Sequence, residues 1–227
     1  MANKGNSRHM KRLALSSYPN VGRKTAPYLA KPTPGRHYLG NCVALVVALR
    51  DKLNLAANEK EAKRIVVAKQ IEVNGKTVTD EKYPIGFGDV ITLKPTGESY
   101  KVSIGKKGVI KIDKSDKTIS ERTQKVVGKY AVKGNKLMIR LLDGSVLAAG
   151  KDVSVNDSVV IAKNAIKKTL KFEKGAKCFV IGGTHASETG TIKEISKGSA
   201  VRSSIVKVEN GENTFETLVD NVIVVGA

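Results

Sequence analysis

Cys42–Leu93 reads CVALVVALRDKLNLAANEKEAKRIVVAKQIEVNGKTVTDEKYPIGFGDVITL, and this stretch decides the fold. Its first part, Val43 to Ala56, places Leu45, Val46, Leu49 and Leu53 on one face at helical spacing, with Arg50, Asp51, Lys52 and Asn54 opposite. Asn58 can cap a second helix, and Glu61 sits three residues later, as a capping box requires. In that helix Ala62, Ile65 and Val66 form the apolar side. Lys60, Lys63 and Arg64 share the opposite side, because residues three and four apart are neighbours on a helix surface. Lys69 stands in the last turn, where an ammonium meets the negative end of the helix dipole. The period then changes from helix to strand. Ile71 and Val73 lead into Asn74-Gly75, the strongest short hairpin signal, since both central residues of such a turn need positive φ. Gly88-Asp89 turns the chain into a second strand, Val90 to Leu93.

Leu49-Arg50-Asp51, the helix with Ala62 and Arg64-Ile65, Val73-Asn74-Gly75 and Gly88-Asp89-Val90-Ile91 occur in order. Together they resemble the small RNA-binding module first described in ribosomal protein S-four. The resemblance implies an α-α-β fold that shows a basic helix face to RNA. Where that family usually has Ser-Arg at the start of the second helix, this chain has Glu59-Lys60, so the charge is displaced beside a carboxylate. On pattern alone, Lys60, Lys63 and Arg64 read equally well as a solvated helix face. The resemblance turns them toward RNA, and Lys52 and Lys76 are assigned with them.

Around this module the charge is lopsided. The chain has 227 residues, a net charge of +19 and 41% apolar residues, enough for more than one packed core. Aromatics are 4% and Trp is absent, which predicts several small cores of Val, Ile and Leu. So large a positive excess points to a polyanion, nucleic acid before an anionic membrane. No apolar run approaches the roughly eighteen residues of a membrane span, and no apolar region follows the first basic residues as in a secretory signal. No membrane partner is expected. Cys42 and Cys178 lie far apart with no Cys or His cluster near either, so buried free thiols are expected, with no metal and a reducing, cytoplasmic setting.

Upstream, residues 1–41 carry Lys4, Arg8, Lys11, Arg12, Arg23, Lys24, Lys31 and Arg36 and no acidic residue. Pro19, Pro27, Pro32 and Pro34 stop any long helix, leaving Arg8 to Ser16 for a short one. Such an arm is expected to be largely unstructured in water and to order against phosphates, where counterion release offsets the entropy. The words His9-Met10-Lys11-Arg12 and Pro34-Gly35-Arg36-His37 resemble the start of the archaeal and eukaryotic ribosomal protein S-four-e. That family usually has a Trp in this arm; here Tyr18, Tyr28 and Tyr38 are the aromatics available.

Downstream, residues 94–170 read as β throughout. Tyr100-Val102-Ile104, Val109-Ile110-Ile112 and Leu137 to Leu142 are punctuated by Thr96-Gly97, Lys107-Gly108, Gly134-Asn135 and Asp143-Gly144. Asn156-Asp157-Ser158-Val159-Val160-Ile161 echoes Gly88-Asp89-Val90-Ile91 as a turn running into a strand. A central β-barrel-like domain is expected. It holds seventeen basic and seven acidic residues, with Lys106, Lys107, Lys111 and Lys114 crowding one hairpin and Lys163, Lys167 and Lys168 following. Lys106 and Lys107 are assigned to RNA, against the alternative that edge-strand lysines only block aggregation. In residues 171–227, Lys174-Gly175-Ala176-Lys177-Cys178-Phe179-Val180-Ile181-Gly182-Gly183 leads through a loop to Gly190-Thr191-Ile192. This resembles the KOW motif, a small SH3-like β-barrel of ribosomal proteins and elongation factors. Ser187 and Glu188 stand where its loop usually has Gly and a basic residue. His185 is expected to be a solvent-exposed loop residue, and Phe215 and Leu218 to pack inward.

No catalytic constellation, phosphate-binding loop or metal-ligand cluster is present in the pattern, so neither an enzyme, a cofactor nor a small-molecule substrate is expected. The expected fold is therefore multidomain and mainly β with one small α+β module. Its parts are a basic arm (1–41), the S-four-type module (42–93), the central β domain (94–170) and the KOW domain (171–227). That order resembles ribosomal protein S-four-e over essentially the whole chain. The resemblance implies a structural constituent of the small ribosomal subunit, bound to ribosomal RNA and neighbouring ribosomal proteins. A KOW-containing transcription elongation or RNA-remodelling factor is the alternative. An RNA-modifying enzyme, which can also carry an S-four-type module, needs a catalytic domain that the remaining residues do not offer.

Overall fold

The structure is a computed structural model that describes residues 9–115, 121–134, 136–150, 152–162, 165–199, 201–211 and 213–226. It is mainly β with few helices, and its sheets are antiparallel. The chain divides into two compact units, Met1–Ser103 with Val109–Thr118, and Ile104–Gly108 with Ile119–Ala227.

The first unit opens with a two-stranded pair, β1 (Met10–Lys11) and β2 (Tyr28–Leu29). A second pair joins β3 (Cys42–Ala44) to β6 (Pro84–Gly86). Between them come the helices α1 (Leu45–Val47) and α2 (Glu59–Val67) and the strands β4 (Ile71–Val73) and β5 (Lys76–Thr77). With β7 (Val90–Leu93), β8 (Ser99–Gly105) and β9 (Val109–Ser115) they complete a five-stranded sheet of order β5-β4-β7-β8-β9. The Asn74-Gly75 turn forms as the sequence predicts: both residues have positive φ, and Val73 pairs with Lys76.

The first helix differs from expectation. Val43 and Ala44 are extended, because they pair with Ile85 and Pro84, some forty residues away and invisible to local periodicity. α1 passes at once into a π-helical turn, Ala48–Lys52, and Leu55 N–H bonds to Leu49 C=O as the chain leaves it. Leu45, Val46, Val47, Ala48 and Leu49 are all fully buried, so the segment has no polar face until Arg50.

α2 forms where expected and buries Ala62 and Val66, while Ile65 is half-buried and Val67 exposed. Its capping differs. Asn58 holds the N-cap position but its side chain makes no cap bond; the Glu61 carboxylate instead accepts from the Ala57 N–H at 2.8 Å. Lys69 is exposed and lies beyond the helix in the left-handed region, φ 58°, where its N–H bonds to Val66 C=O and the Gln70 N–H to Ile65 C=O. This is the position glycine usually takes, so a lysine there hides the helix end from the sequence.

The arm is packed, not free. Leu15, Tyr18 and Leu29 are buried. Met10–Lys11 is a strand and Arg12–Ala14 a 3₁₀ turn, in place of a single short helix. Thr33 N–H donates to Lys82 C=O and its hydroxyl to Asp80. His37 Nε2 lies 2.7 Å from Asp89 Oδ2, with both side chains nearly inaccessible. Asp89 also accepts from Asn74 Nδ2 at 2.7 Å and Gly86 N–H at 3.1 Å. Gly86 matters for its missing side chain: a Cβ there would stand 2.5 Å from the His37 ring. The arm packs because it brings its own apolar residues and because a buried carboxylate accepts from its histidine.

The second unit contains two five-stranded sheets. One is ordered β12-β11-β10-β13-β14, from β10 (Glu121–Val132), β11 (Lys136–Leu141), β12 (Val146–Ala148), β13 (Ser158–Ala162) and β14 (Ala165–Leu170). Val126, Ile139, Leu141, Val153, Val159 and Ile161 form its core. The other is ordered β18-β17-β16-β15-β19, from β15 (Lys177–Val180), β16 (Thr189–Ser196), β17 (Ile205–Asn210), β18 (Asn213–Leu218) and β19 (Val222–Val224). Cys178, Ile192, Val206, Val208, Val219, Val222 and Val224 form its core, with Phe215 against it. Leu218 is exposed, contrary to expectation. Asn135 and Lys163, named from the sequence, lie outside the described residues.

The echo between Gly88-Asp89 and Asn156-Asp157 is structural. Each aspartate is buried, follows a residue of positive φ, and accepts the N–H of the residue three before it, Gly86 or Ser154. Asp157 also accepts from Phe172 N–H, tying the start of the last segment to the central sheet.

Lys125 joins the two sheets of this unit. Its side chain is 2% exposed and its ammonium donates to Val219 C=O. Burial pushes its pKa down to about 8, opposed by the charge of Asp220. The folded value lies below the unfolded one, so the full cost is borne at pH below about 8 and fades as pH rises toward the ordinary lysine range. Lys125 by itself should therefore add roughly 3 kcal/mol to the stability of this unit over that interval, opposed by the Cys178 thiol, whose pKa burial raises to about 11. Urea midpoints of wild type and Lys125→Met across this range check it: the variant should lack the rise, and parallel curves would refute the assignment.

Candidate RNA-binding surface

Lys60, Lys63 and Arg64 all stand exposed on α2, opposite buried Ala62 and Val66. A helix with one face committed to the core must turn the other outward. Lys63 Nζ is 3.3 Å from Glu81, a surface pair that leaves most of its charge available. The side chains of Lys60 and Arg64 make no ion pair with the described residues. Lys76 is exposed on β5.

The arm's cations separate into two kinds. Lys11, Arg23 and Lys24 are exposed, and Lys31 and Arg36 are half-buried and engaged within the chain. Arg12 is the correction. It is buried, and its guanidinium donates to Tyr28 C=O (3.2 Å), Gly22 C=O (2.8 Å) and Thr25 Oγ1 (2.7 Å). Those bonds shape the loop that presents Arg23 and Lys24, so Arg12 acts as its internal brace. A fork with five donors can bind three carbonyl or hydroxyl oxygens as readily as a phosphate, and sequence cannot separate the two uses. Lys52 is half-buried, with Nζ 3.0 Å from Asn20 C=O, and burial lowers its pKa against the pull of Asp51. Lys4 and Arg8 lie outside the described residues. Lys106 and Lys107 are exposed in the second unit, and Lys107 takes positive φ.

Arg50 is a cation that charge counting missed. With Arg12, Asn20, Gly22 and Thr25 it lines an open groove between the arm loop and the turn after the π-helix. It is held by Asp51 through two bonds, Nε to Oδ1 at 2.6 Å and Nη2 to Oδ2 at 2.9 Å, and that pairing raises its pKa further. The adjacent Arg-Asp pair reads as neutral in sequence, yet fork-to-carboxylate bonding fixes a guanidinium face at the groove.

Cys42 and Cys178 are buried free thiols, and burial pushes both up to about 11. His185 is half-exposed; its ring stacks on Phe215 with centroids 4.2 Å apart, and Nδ1 lies 3.3 Å from Glu188. Among the described residues no group of His, Cys, Asp or Glu is placed to hold a metal ion, and no helix is long and apolar enough to cross a membrane.

Comparison with known proteins accounts for the exposed helix. Residues 45–91 match the S4 domain family. The small ribosomal subunit protein eS4 of Archaeoglobus fulgidus is 34% identical over 220 residues, covering 96% of this chain and 93% of that protein. This chain belongs to the eS4 family. The eS4 of Methanosphaera stadtmanae is 35% identical over 231 residues, 100% of this chain and 95% of that relative. The crystal structure of the 30S ribosomal protein S4e from Thermoplasma acidophilum superposes with a TM-score of 0.71 at 30% identity, over 82% of this chain and 96% of that one. The S4 match in this eS4-family chain contains α2 and its cations whole, and it begins at Leu45, where the helix begins.

Proposed function

We propose that this protein is a structural constituent of the small ribosomal subunit. It binds ribosomal RNA and neighbouring ribosomal proteins and serves subunit assembly and translation on the cytoplasmic ribosome. The observation that carries this is its membership of the eS4 family across the whole chain. The exposed Lys60, Lys63 and Arg64 on an S4-domain helix support it. Its work is binding, not turnover, and it needs no cofactor.

Within this reading, the chain is organised as a basic arm (1–41), an S4 module (42–93) whose sheet continues through β8 and β9, a central β-barrel-like domain in the remainder of 94–170 and a KOW-type, SH3-like barrel (171–227). Positive φ at Gly175 and Gly183 supports tight corners in the last of these. So does Gly190, where a Cβ would stand 2.6 Å from Glu209 C=O. The RNA contacts are Lys11, Arg23, Lys24, Lys31, Arg36, Lys52, Lys60, Lys63, Arg64, Lys76, Lys106 and Lys107, extended by Lys4 and Arg8. The pairing of Glu188 with His185 makes the KOW-type loop tip a poor phosphate site.

Sedimentation of the native protein through a density gradient, after a moderately high-salt wash and with or without RNase, tests the reading. It should run with the small subunit and be released by RNase. A protein that stays at the top of the gradient in salt is not a ribosomal constituent, and co-purifying RNA polymerase would then identify an elongation factor.

A further inference from the structure

A second surface of the first unit is aromatic as well as basic. Met10 pairs with Leu29 and Lys11 with Tyr28, and Met10, Lys11 and Tyr28 line an open groove of about 660 Å³. Tyr38, Leu39, Leu15, Ser16 and Gly40 line the same groove. Tyr28 is 55% exposed and Tyr38 79%. Tyr38 is positioned rather than loose. Gly40 lies so close that a Cβ there would come within 2.9 Å of its ring, and the Ser16 hydroxyl donates to Gly40 C=O. His9 packs tilted against Tyr28, with centroids 5.7 Å apart.

Two large rings left in water on a folded surface call for a partner with flat, apolar faces. The charge around them selects which. The groove's charged lining residues are Lys11 and Lys31, with no carboxylate among them, and residues 1–41 contain no acidic residue at all. A protein partner would need an acidic apolar surface to match. Single-stranded RNA meets both demands with one repeating unit, a base for the ring and a phosphate for the ammonium. Duplex RNA does not, because its bases are already stacked on one another.

We propose that this groove holds unpaired nucleotides of RNA, with bases stacked on Tyr28 and Tyr38 and a phosphate at Lys11. The inference rests on the RNA-binding reading above and adds the class of RNA: a single-stranded loop, bulge or end, engaged apart from the helix face of α2. Its recognition is by stacking, so it tolerates any base.

The test uses the full chain and two fluorescent probes at one salt concentration, a short oligoadenylate and a short RNA duplex. Tyr28→Ala and Tyr38→Ala should each weaken oligoadenylate binding about tenfold and leave duplex binding unchanged. Tyr38→Phe, which keeps the ring, should bind as wild type. Both tyrosines are largely exposed, so melting temperatures should stay put. Undiminished oligoadenylate binding by the alanine variants overturns the inference, and so does an equal loss in Tyr38→Phe. If the alanine variants keep both probes but lose a neighbouring protein in reconstituted subunits, the groove docks protein and the inference also falls. Failure of the wild type to bind either probe is a different result, because it sinks the RNA-binding reading itself.

Discussion

Asp89→Ala should lower the stability of the first unit by about 3–5 kcal/mol, as expected when one partner of a buried, hydrogen-bonded pair is removed. Three donors converge on this carboxylate: His37 Nε2, Asn74 Nδ2 and Gly86 N–H. They come from the arm, the β4–β5 hairpin and β6, so one side chain ties together three parts of the chain. Truncation takes the acceptor from all three donors, of which the Gly86 N–H is buried, and an unsatisfied buried donor costs more than its bond contributes. Asp89→Asn should fall between, keeping one acceptor oxygen but setting an amide N–H₂ against a donor. His37→Ala should cost less than Asp89→Ala and should release the arm, so protease should cut it before the rest of the unit. Urea unfolding followed by circular dichroism measures the first effect. An Asp89→Ala change under about 1 kcal/mol would show that the cluster is incidental.

The double substitution Lys60→Glu and Arg64→Glu should weaken binding to small-subunit RNA about a hundredfold and lower the slope of log K against log salt by about two. Both side chains are exposed, so the melting temperature should be unchanged within a degree or two. Lys63 is left out deliberately. It faces Glu81, and a glutamate there would add like-charge repulsion to the free protein and blur the comparison. A lost affinity with an unchanged salt slope would mean that the substitutions act through structure, not through phosphate contact. Unchanged incorporation into subunits would remove α2 from the interface.

The elements that were legible in the sequence are those whose cause is local. Asn74-Gly75 needs two positive φ values and has the two residues that supply them most easily. α2 carries its apolar side at helical spacing, and its cations follow onto the other face. The turn before Val90 and its echo before Ser158 each place an aspartate after a residue of positive φ. Cys42 and Cys178 are buried as expected of isolated thiols.

What was not legible depends on partners distant in the chain. Val43 and Ala44 read as the start of a helix but belong to a strand, because Ile85 and Pro84 pair with them. The arm has the composition of a disordered tail, yet Leu15, Tyr18, Leu29 and His37 find places prepared by other segments. Gly86 is needed because the His37 ring, from about fifty residues upstream, occupies the space of its side chain. Among the cations, sequence showed where positive charge is dense. Only the fold decided that Arg12 turns inward to brace a loop, that Arg50 is held at a groove by Asp51, and that Lys125 is buried against Val219.

By itself, then, the sequence determined the basic character of the chain, its β-rich composition, its hairpin turns and the exposed charge of α2, since each follows from neighbouring residues and a fixed backbone period. The tertiary structure alone decided which cations are exposed and which are bonded from within. A lysine or arginine has the same reach and the same charge in either role. Only the arrangement of carbonyls and carboxylates brought to it by remote segments settles whether it has already been satisfied from within.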